Sequence, residues 1–372
     1  MKLDFLQQRA EAPEVQITRF LRRQIVTGAF DPGERLPSTS ELARRWRVSN
    51  SVIQRAIEPL AAEGLMARRA GVGTFIQPST EKASVALVFG PSLVEESAHF
   101  YRAMQRGLQE EIRTHSWSCR VYEGLNPSPD VDASHMKDVA THIEHDLQNH
   151  AFKGLVLVGM HVNLSKLLER DIDLPIVVCH DAVVQDSADF LRTSVVYLAR
   201  DGRRRLVFLE SCLTDFARAP GDPVLEALQT AAKKQGLPPV DRVTLPRPGS
   251  AFDNDTATQQ RTLAAIAAWR ARPEGLPDGL IVSDDIAMRG VAFGLMRSGV
   301  NVPEEVRIVT HANDRVRMNY GIPVTRYEFP VEETAKRSVE ILWKRILNEP
   351  LPPLPIVLKG TMREDGGQCA VA

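Results

Sequence analysis

From Val85 onward the chain alternates continuous apolar runs with amphipathic stretches of helical period, and that rhythm decides the class of fold. The runs are VALVFG, GLVLVG, PIVVCH, RRLVFL, DGLIVS and VRIVTHAND; among them lie FYRAMQRGLQEEIRTH, SADFLRTSVVYLARDG, VLEALQTAAKKQ and IAMRGVAFGLMRSG. A strand wet on one face alternates apolar and polar residues, whereas these runs are apolar throughout and demand cover on both faces. A parallel sheet clothed by helices meets that demand, and its ligands sit outside the carboxyl ends of the strands. The expected class is α/β.

A chain of 372 residues exceeds one ordinary core. The segment before Val85 has a different pattern. In residues 34–76, ERLPSTSELARRWRVSNSVIQRAIEPLAAEGLMARRAGVGTFI, Ser38 and Glu41 form an S-x-x-E capping box that starts a short helix from Thr39 to Trp46. Leu42 and Trp46 point inward from it, leaving Thr39, Ser40, Arg44, Arg45 and Arg47 for solvent or phosphate. Ser49 caps a second helix whose apolar face is Ile53, Ala56, Ile57 and Leu60. Its exposed side begins with Asn50, Ser51, Gln54 and Arg55, where a recognition helix meets base edges. Asn and Gln each present a donor and an acceptor together, the pattern that adenine N6 and N7 require in the major groove. Pro59 removes a helical hydrogen bond and predicts a kink or an early end. Two short strands, Leu65 to Arg69 and Thr74 to Gln77, then flank a turn whose Gly71, Val72 and Gly73 allow close approach to a DNA backbone.

Residues 13–78 resemble the winged-helix domain of the GntR family of bacterial transcription factors. That family's L-P-S-E-R-E-L-A and V-S-R-x-T-V-R-x-A-L patterns carry arginines that touch DNA. Here Ser40, Asn50 and Gln54 replace them, so the resemblance implies the fold and double-stranded operator DNA as partner, but not the family's usual operator preference. Charge follows the same division. Lys and Arg outnumber Asp and Glu by 12 to 8 over residues 1–80; removing these from the chain's 46 and 47 leaves 34 against 39 beyond them.

Residues 84–364 resemble the effector domain of the LacI/GalR repressors, which is similar to type I periplasmic sugar-binding proteins. Phe100-Tyr101 followed by Gly107, ARDGRRRLVFL, SDDIAMRGVAFGLMRSGVNVPEEVRIV and IPVTRYEFPVEETAKRSVEILWKRI carry the likeness. It implies two α/β lobes joined by three crossovers, with a C-terminal strand near Pro355 to Thr361 returning to the second. A GntR head on such a body looks like the arabinose-repressor type of regulator. The expected division is a head at 1–78, a linker at 79–84 and a body at 85–372. Lobe 1 is expected at about 85–185 and 328–350, lobe 2 at about 186–327 and 351–365. By the same resemblance Asp285 takes the place of the family's pocket Asp. Pro220 and Ala312, however, stand where an arginine and a sugar-binding Asp are usual. Arg218 is a candidate substitute, and Phe100, Tyr101, His161, His180, His311 and Asn313 complete the candidate ligand set. The effector is a sugar or sugar derivative, or a ligand that needs neither missing group.

Other constellations carry less. His135, His142, His145 and His150 lie on a wet helical stretch without a nearby cysteine, and no metal is expected. Asp284-Asp285, or Ser283 with His311, could serve acid–base chemistry, but no G-x-S-x-G elbow or H-E-x-x-H accompanies them, and no enzyme or cofactor is expected. LPPLP near residue 351 reads as a turn. The four cysteines form no C-x-x-C pair, and neither an apolar leader nor a membrane-length run is seen, so a cytoplasmic protein without a membrane partner is expected. These readings converge on a ligand-responsive transcriptional regulator acting as a homodimer on a pseudo-palindromic operator. A constitutive DNA binder with an assembly-only body and an enzyme on a DNA-binding head remain the alternatives.

Overall fold

The computed structural model describes residues 12–26, 30, 33–62, 64–69, 71–77, 84–94, 98–126, 133–149, 151–160, 163–169, 171–210, 223–245 and 251–364. The chain opens with α1 (Pro13–Val26), α2 (Thr39–Trp46), α3 (Asn50–Ala62), β1 (Met66–Arg69) and β2 (Gly73–Ile76). Ile17 and Leu21 of α1, Leu42 and Trp46 of α2, and Ile53, Ile57 and Leu60 of α3 share one core, closed below by Met66 and Ile76. The capping box forms, with the Glu41 amide donating to Ser38 Oγ at 3.2 Å. Arg47 then takes a left-handed conformation at φ 57° and turns the chain from α2 towards α3. Pro59 does not end α3, which runs three residues further. Both Pro59 and Arg55 are exposed, so the carbonyl deprived of its helical donor is open to water. Strands β1 and β2 pair antiparallel from Met66 opposite Ile76 to Arg69 opposite Gly73.

The body contains β3 (Ser84–Phe89), α4 (His99–Thr114), β4 (Ser118–Tyr122), α5 (Ala133–Gln148), β5 (Gly154–Val158), α6 (Leu164–Leu167), β6 (Ile176–Val178), α7 (Cys179–Ala182) and β7 (Val183–Gln185). There follow α8 (Ser187–Arg200), β8 (Leu206–Glu210), α9 (Pro223–Lys234), β9 (Asp241–Thr244), α10 (Ala251–Arg270), β10 (Gly279–Val282) and α11 (Asp285–Arg297). The chain continues with β11 (Arg307–Asn313), β12 (Thr325–Phe329), α12 (Val331–Ile346), β13 (Ile356–Leu358) and β14 (Thr361–Glu364). One sheet has the parallel order β4-β3-β5-β6; the other runs β14-β12-β11-β10-β8-β9 with only β14 antiparallel. This is the mixed α/β architecture with parallel sheets that the apolar runs require.

Strand periodicity explains how each sheet is covered twice. Val85, Leu87 and Phe89 of β3 meet α4 and α12, while Ala86 and Val88 meet α5 and α6. In the second sheet Leu280 and Val282 face α10 and α11, and Ile281 with Val309 faces α8 and α9. The chain passes between the sheets three times: through β7 into α8, from β12 into α12, and through β13 into β14. Where one returning strand was expected near Pro355 to Thr361 there are two, β13 beside β7 and β14 beside β12. Among the described residues, no helix is long and apolar enough to cross a membrane.

Gly90, just beyond β3, sits where the ends of β3 and β5 converge, and a methyl group there would overlap the Gly159 carbonyl and the Asn126 amide. Gly90→Ala is expected to lower unfolding stability by about 1–3 kcal/mol through forced backbone displacement, read from urea unfolding. An unchanged midpoint would show that this junction yields freely.

Candidate nucleic-acid interface and effector site

In the head, burial of one face of α3 leaves Asn50, Ser51, Gln54 and Arg55 exposed at its N-terminal half. Ser49 accepts from the Val52 amide at 3.4 Å and meets the Ser51 hydroxyl at 2.8 Å, so these two serines order the start of the helix. Arg44, Arg45, Arg47 and Ser40 are exposed and Thr39 half-buried. Arg55 reaches back to Glu14 of α1 at 3.2 Å, which engages its charge within the head. Gly71 lies at φ 72° and Gly73 at φ 141°, and both favour glycine; Val72 between them is half exposed at the wing tip. The basic wing strand itself contributes two further arginines that no motif singles out. Arg69 stacks 4.8 Å from the Phe75 ring, and Arg68 donates to the Gln54 carbonyl at 3.5 Å, tying the wing to α3. Their signal was the Arg68-Arg69 pair at the end of β1.

In the body, Asp285, His311 and Asn313 come together at the carboxyl ends of β10 and β11. Asp284 caps α11, accepting from the Ile286 and Ala287 amides at 2.9 Å each, and thereby turns Asp285 inward. The link that joins the group is Gln185 of β7, which no sequence pattern singled out. Its Nε2 donates to Asn313 Oδ1 at 3.1 Å, and its Oε1 lies 2.7 Å from His311 Nε2. Asn313 in turn hydrogen-bonds the Asp285 carboxyl. With the amide orientations these contacts require, His311 Nε2–H donates to Gln185, Gln185 to Asn313, and Asn313 to the acid.

Burial sets the electrostatics of this chain. His311 is enclosed by Phe190, whose ring centroid is 6.0 Å away, and Phe329 at 5.1 Å, and burial pushes its pKa down to about 4. Its Nδ1 has no partner among the described residues. Desolvation, reinforced by Asp284, pushes Asp285 up to about 7; desolvation also raises Asp284. Ala312, where a sugar-binding Asp would stand in the resembled family, is buried and offers only a methyl group.

The other candidates separate. Tyr101 lies against Gly159 at the end of β5, where an added Cβ would come within 2.6 Å of its ring, and Asn126 donates to the Gly159 carbonyl at 2.7 Å. Phe100 makes an edge contact with Tyr101 at 5.3 Å and packs on the core of the first sheet. His180 sits on α7 with its side chain half exposed, 3.8 Å from Asp181, rather than in a strand-end pocket. His161 and Arg218 lie outside the described residues. His135, His142 and His145 line an open groove with Arg120, Tyr122 and Asp146.

Residues 13–76 match the profile of the bacterial regulatory proteins of the gntR family, and residues 195–364 match that of the periplasmic binding protein-like domain. The chain carries a gntR-family head on a periplasmic-binding-protein-like body. The head is similar to the histidine utilization repressor of Pseudomonas aeruginosa, 34% identical over 100 residues that make up 26% of this chain and 39% of that protein. The chain therefore spans about two fifths of the length of that curated relative. The body shares its fold with a LacI-family regulator from Corynebacterium glutamicum, at TM-score 0.55 and 18% identity over 75% of this chain and 96% of that one. It also resembles a periplasmic binding protein/LacI transcriptional regulator from Alkaliphilus metalliredigens complexed with D-xylulofuranose, at TM-score 0.51 and 17% identity over 75% and 98% of the two chains.

The raised acid and the depressed histidine act on stability with opposite signs. Asp285 binds its proton more tightly folded than unfolded, so its contribution is complete below about pH 4 and is lost as pH rises through about 7. The His311 contribution is present above its ordinary 6.5 and is lost as pH falls towards about 4. Asp285→Asn, which mimics the protonated acid, should therefore gain stability over the parent as pH rises from about 5 to about 8, read from urea unfolding at each pH. A variant-to-parent difference independent of pH would count against a buried acid.

Proposed function

We propose that this protein is a ligand-responsive transcriptional regulator, acting as a repressor, which binds a pseudo-palindromic operator as a homodimer and senses a small metabolite in the body. One observation carries the reading: a single chain joins a winged helix-turn-helix, with Asn50 and Gln54 exposed at the start of α3, to a two-sheet body whose polar cluster lies at the strand ends. The two halves have separate hydrophobic cores, so their union in one chain is best explained by communication between sites. Repression is favoured by the name of the relative that resembles the head, and a sugar or sugar derivative by the xylulofuranose held in a structural relative of the body. Asp285, Asn313 and Gln185 supply both acceptors and donors, as hydroxyl recognition requires.

In this reading Asn50 and Gln54 read bases, while Arg44, Arg45 and Arg47 hold phosphates alongside the wing at Gly71, Val72 and Gly73. With duplexes enriched by the parent chain from a random pool, Asn50→Ala and Gln54→Ala should each cost about 1–3 kcal/mol of discrimination. Arg44→Ala should instead weaken binding to all sequences alike and lower the salt slope by about 1. Equal loss of affinity and discrimination in all three variants would overturn the division of roles.

Sensing has its own test. In a thermal-shift screen of pentoses, hexoses, polyols, uronic acids and nucleosides, a true effector at about 100 times its Kd should stabilise the chain by about 2.7 kcal/mol. It should also change duplex affinity by about 5- to 150-fold. Stabilisation without any change in duplex affinity would make the body a passive assembly module.

A further inference from the structure

Among the described residues of the head, Arg22 is the buried arginine. Arg22 of α1 is only 7% exposed, in contrast with the exposed Arg44, Arg45, Arg47, Arg68 and Arg69. Its Nη1 donates at 3.1 Å to the carbonyl of Leu347, a residue of the body. Leu347 caps the C-terminus of α12 and is itself fully buried. The last carbonyls of a helix lack intrahelical donors and carry the negative end of its dipole, so a guanidinium is the complementary group for that position. Burial of both partners makes the contact costly to leave half-made.

The two ends of α12 stand at different places in the molecule. Its first turn is fixed to the crossover: the Val331 amide donates to Asp314 Oδ1 at 2.9 Å, and the Asp314 amide donates to the Phe329 carbonyl at 3.0 Å. Asp314 directly follows Asn313, which Gln185 and Asp285 hold. Between the ends, Val331, Ala335, Val339 and Leu342 are buried against the first sheet and α4. Sixteen helical residues make a rod of about 24 Å with little freedom to bend. On the far side of Arg22, α1 is bound to the recognition helix by the Thr18 hydroxyl, 2.8 Å from the Ala56 carbonyl, and by the Glu14–Arg55 ion pair.

We propose that α12 is the lever that carries the state of the Gln185–Asn313–Asp285 cluster to the DNA-binding head, with the Arg22–Leu347 contact as its coupling. The proposal rests on the reading of the chain as a ligand-responsive regulator and adds the route. A change at Asn313 moves the first turn of α12 through Asp314; the packed rod moves as one body; Arg22 passes the displacement of its last carbonyl to α1 and so to α3.

The test is a double-mutant cycle in the full chain between Gln185→Ala, which releases the crossover, and Arg22→Met, which keeps an unbranched apolar stem but removes the charge and the donors. Amide hydrogen exchange of α1 and of the last turn of α12 is the first readout, with thermal unfolding confirming that each variant is folded. Gln185→Ala should change α1 exchange by about three- to tenfold in the parent background and leave it unchanged with Arg22→Met. Arg22→Lys, which restores a cation, should recover part of the response. The second readout is affinity for a duplex enriched from a random pool, where Gln185→Ala should act only when Arg22 is present. An equal response in both backgrounds means that the signal bypasses Arg22, and no response in either means that crossover and head are independent; each outcome overturns the lever. Failure to enrich any duplex would refute the DNA-binding reading, while the exchange data still judge the lever.

Discussion

The body depends on one polar contact made in the wrong place for an ordinary core. Gln185 leaves the first sheet on the crossover strand β7 and bonds two residues of β11 in the second, His311 and Asn313, more than a hundred positions away in sequence. An amide has one donor side and one acceptor side, so it fixes the direction of the whole chain, from the His311 N–H through Asn313 to the Asp285 carboxyl. His311, Asn313 and Asp285 are buried and Gln185 is half-buried, which strengthens the bonds and makes each of them costly to break singly. The cluster therefore behaves as a unit. It pins the crossover to the strand ends, while burial keeps His311 neutral near neutral pH, and desolvation with the Asp284 charge raises Asp285 to about 7 against the opposing pull of the Asn313 hydrogen bond.

How much of this was legible in the sequence varies with how local the cause is. The head was readable because its signals are short-range: Ser38 with Glu41 for the start of α2, two inward apolar residues one turn apart, and glycines for the wing. The apolar runs likewise announced a two-faced parallel sheet. Helix α10 was not readable by the same logic. Its buried stripe is Thr258, Thr262, Ile266 and Trp269, and Thr262 satisfies its own hydroxyl on the Thr258 carbonyl at 2.8 Å. Close approach to Gly294 of α11 requires small residues there, so the stripe looks polar in one dimension and is core in three. Gln185 failed to stand out for a different reason. Its role is set by which strand end it meets, and no local pattern encodes that meeting.

The same contrast separates the charges of the head. The arginines of the head differ in exposure and in partner. Arg44, Arg45 and Arg47 are exposed, Arg55 turns to Glu14, Arg69 lies on Phe75, and Arg22 is buried against a helix end of the body. A net positive balance says that a head is suited to phosphate, but it cannot say which cations are free to serve. Burial decides that, and burial belongs to the folded state.

The three passages between the sheets give these local facts a wider consequence. Any change in the angle between the sheets must be absorbed where the chain crosses, at the end of β7, at the join of β12 and α12, and between β13 and β14. Two of those places carry the hydrogen bonds described above, from Gln185 to β11 and from Val331 to Asp314. Such bonds are short-range and directional, so they are made or lost rather than gradually stretched. Packed helices such as α12 do not yield gradually either. A body built this way favours discrete arrangements over a continuum, and a ligand can select among them only by the difference in its contacts with each. For a cluster of two amides, one imidazole and one acid, that difference is a matter of a few hydrogen bonds, the scale on which site-to-site couplings of about 1–3 kcal/mol are made.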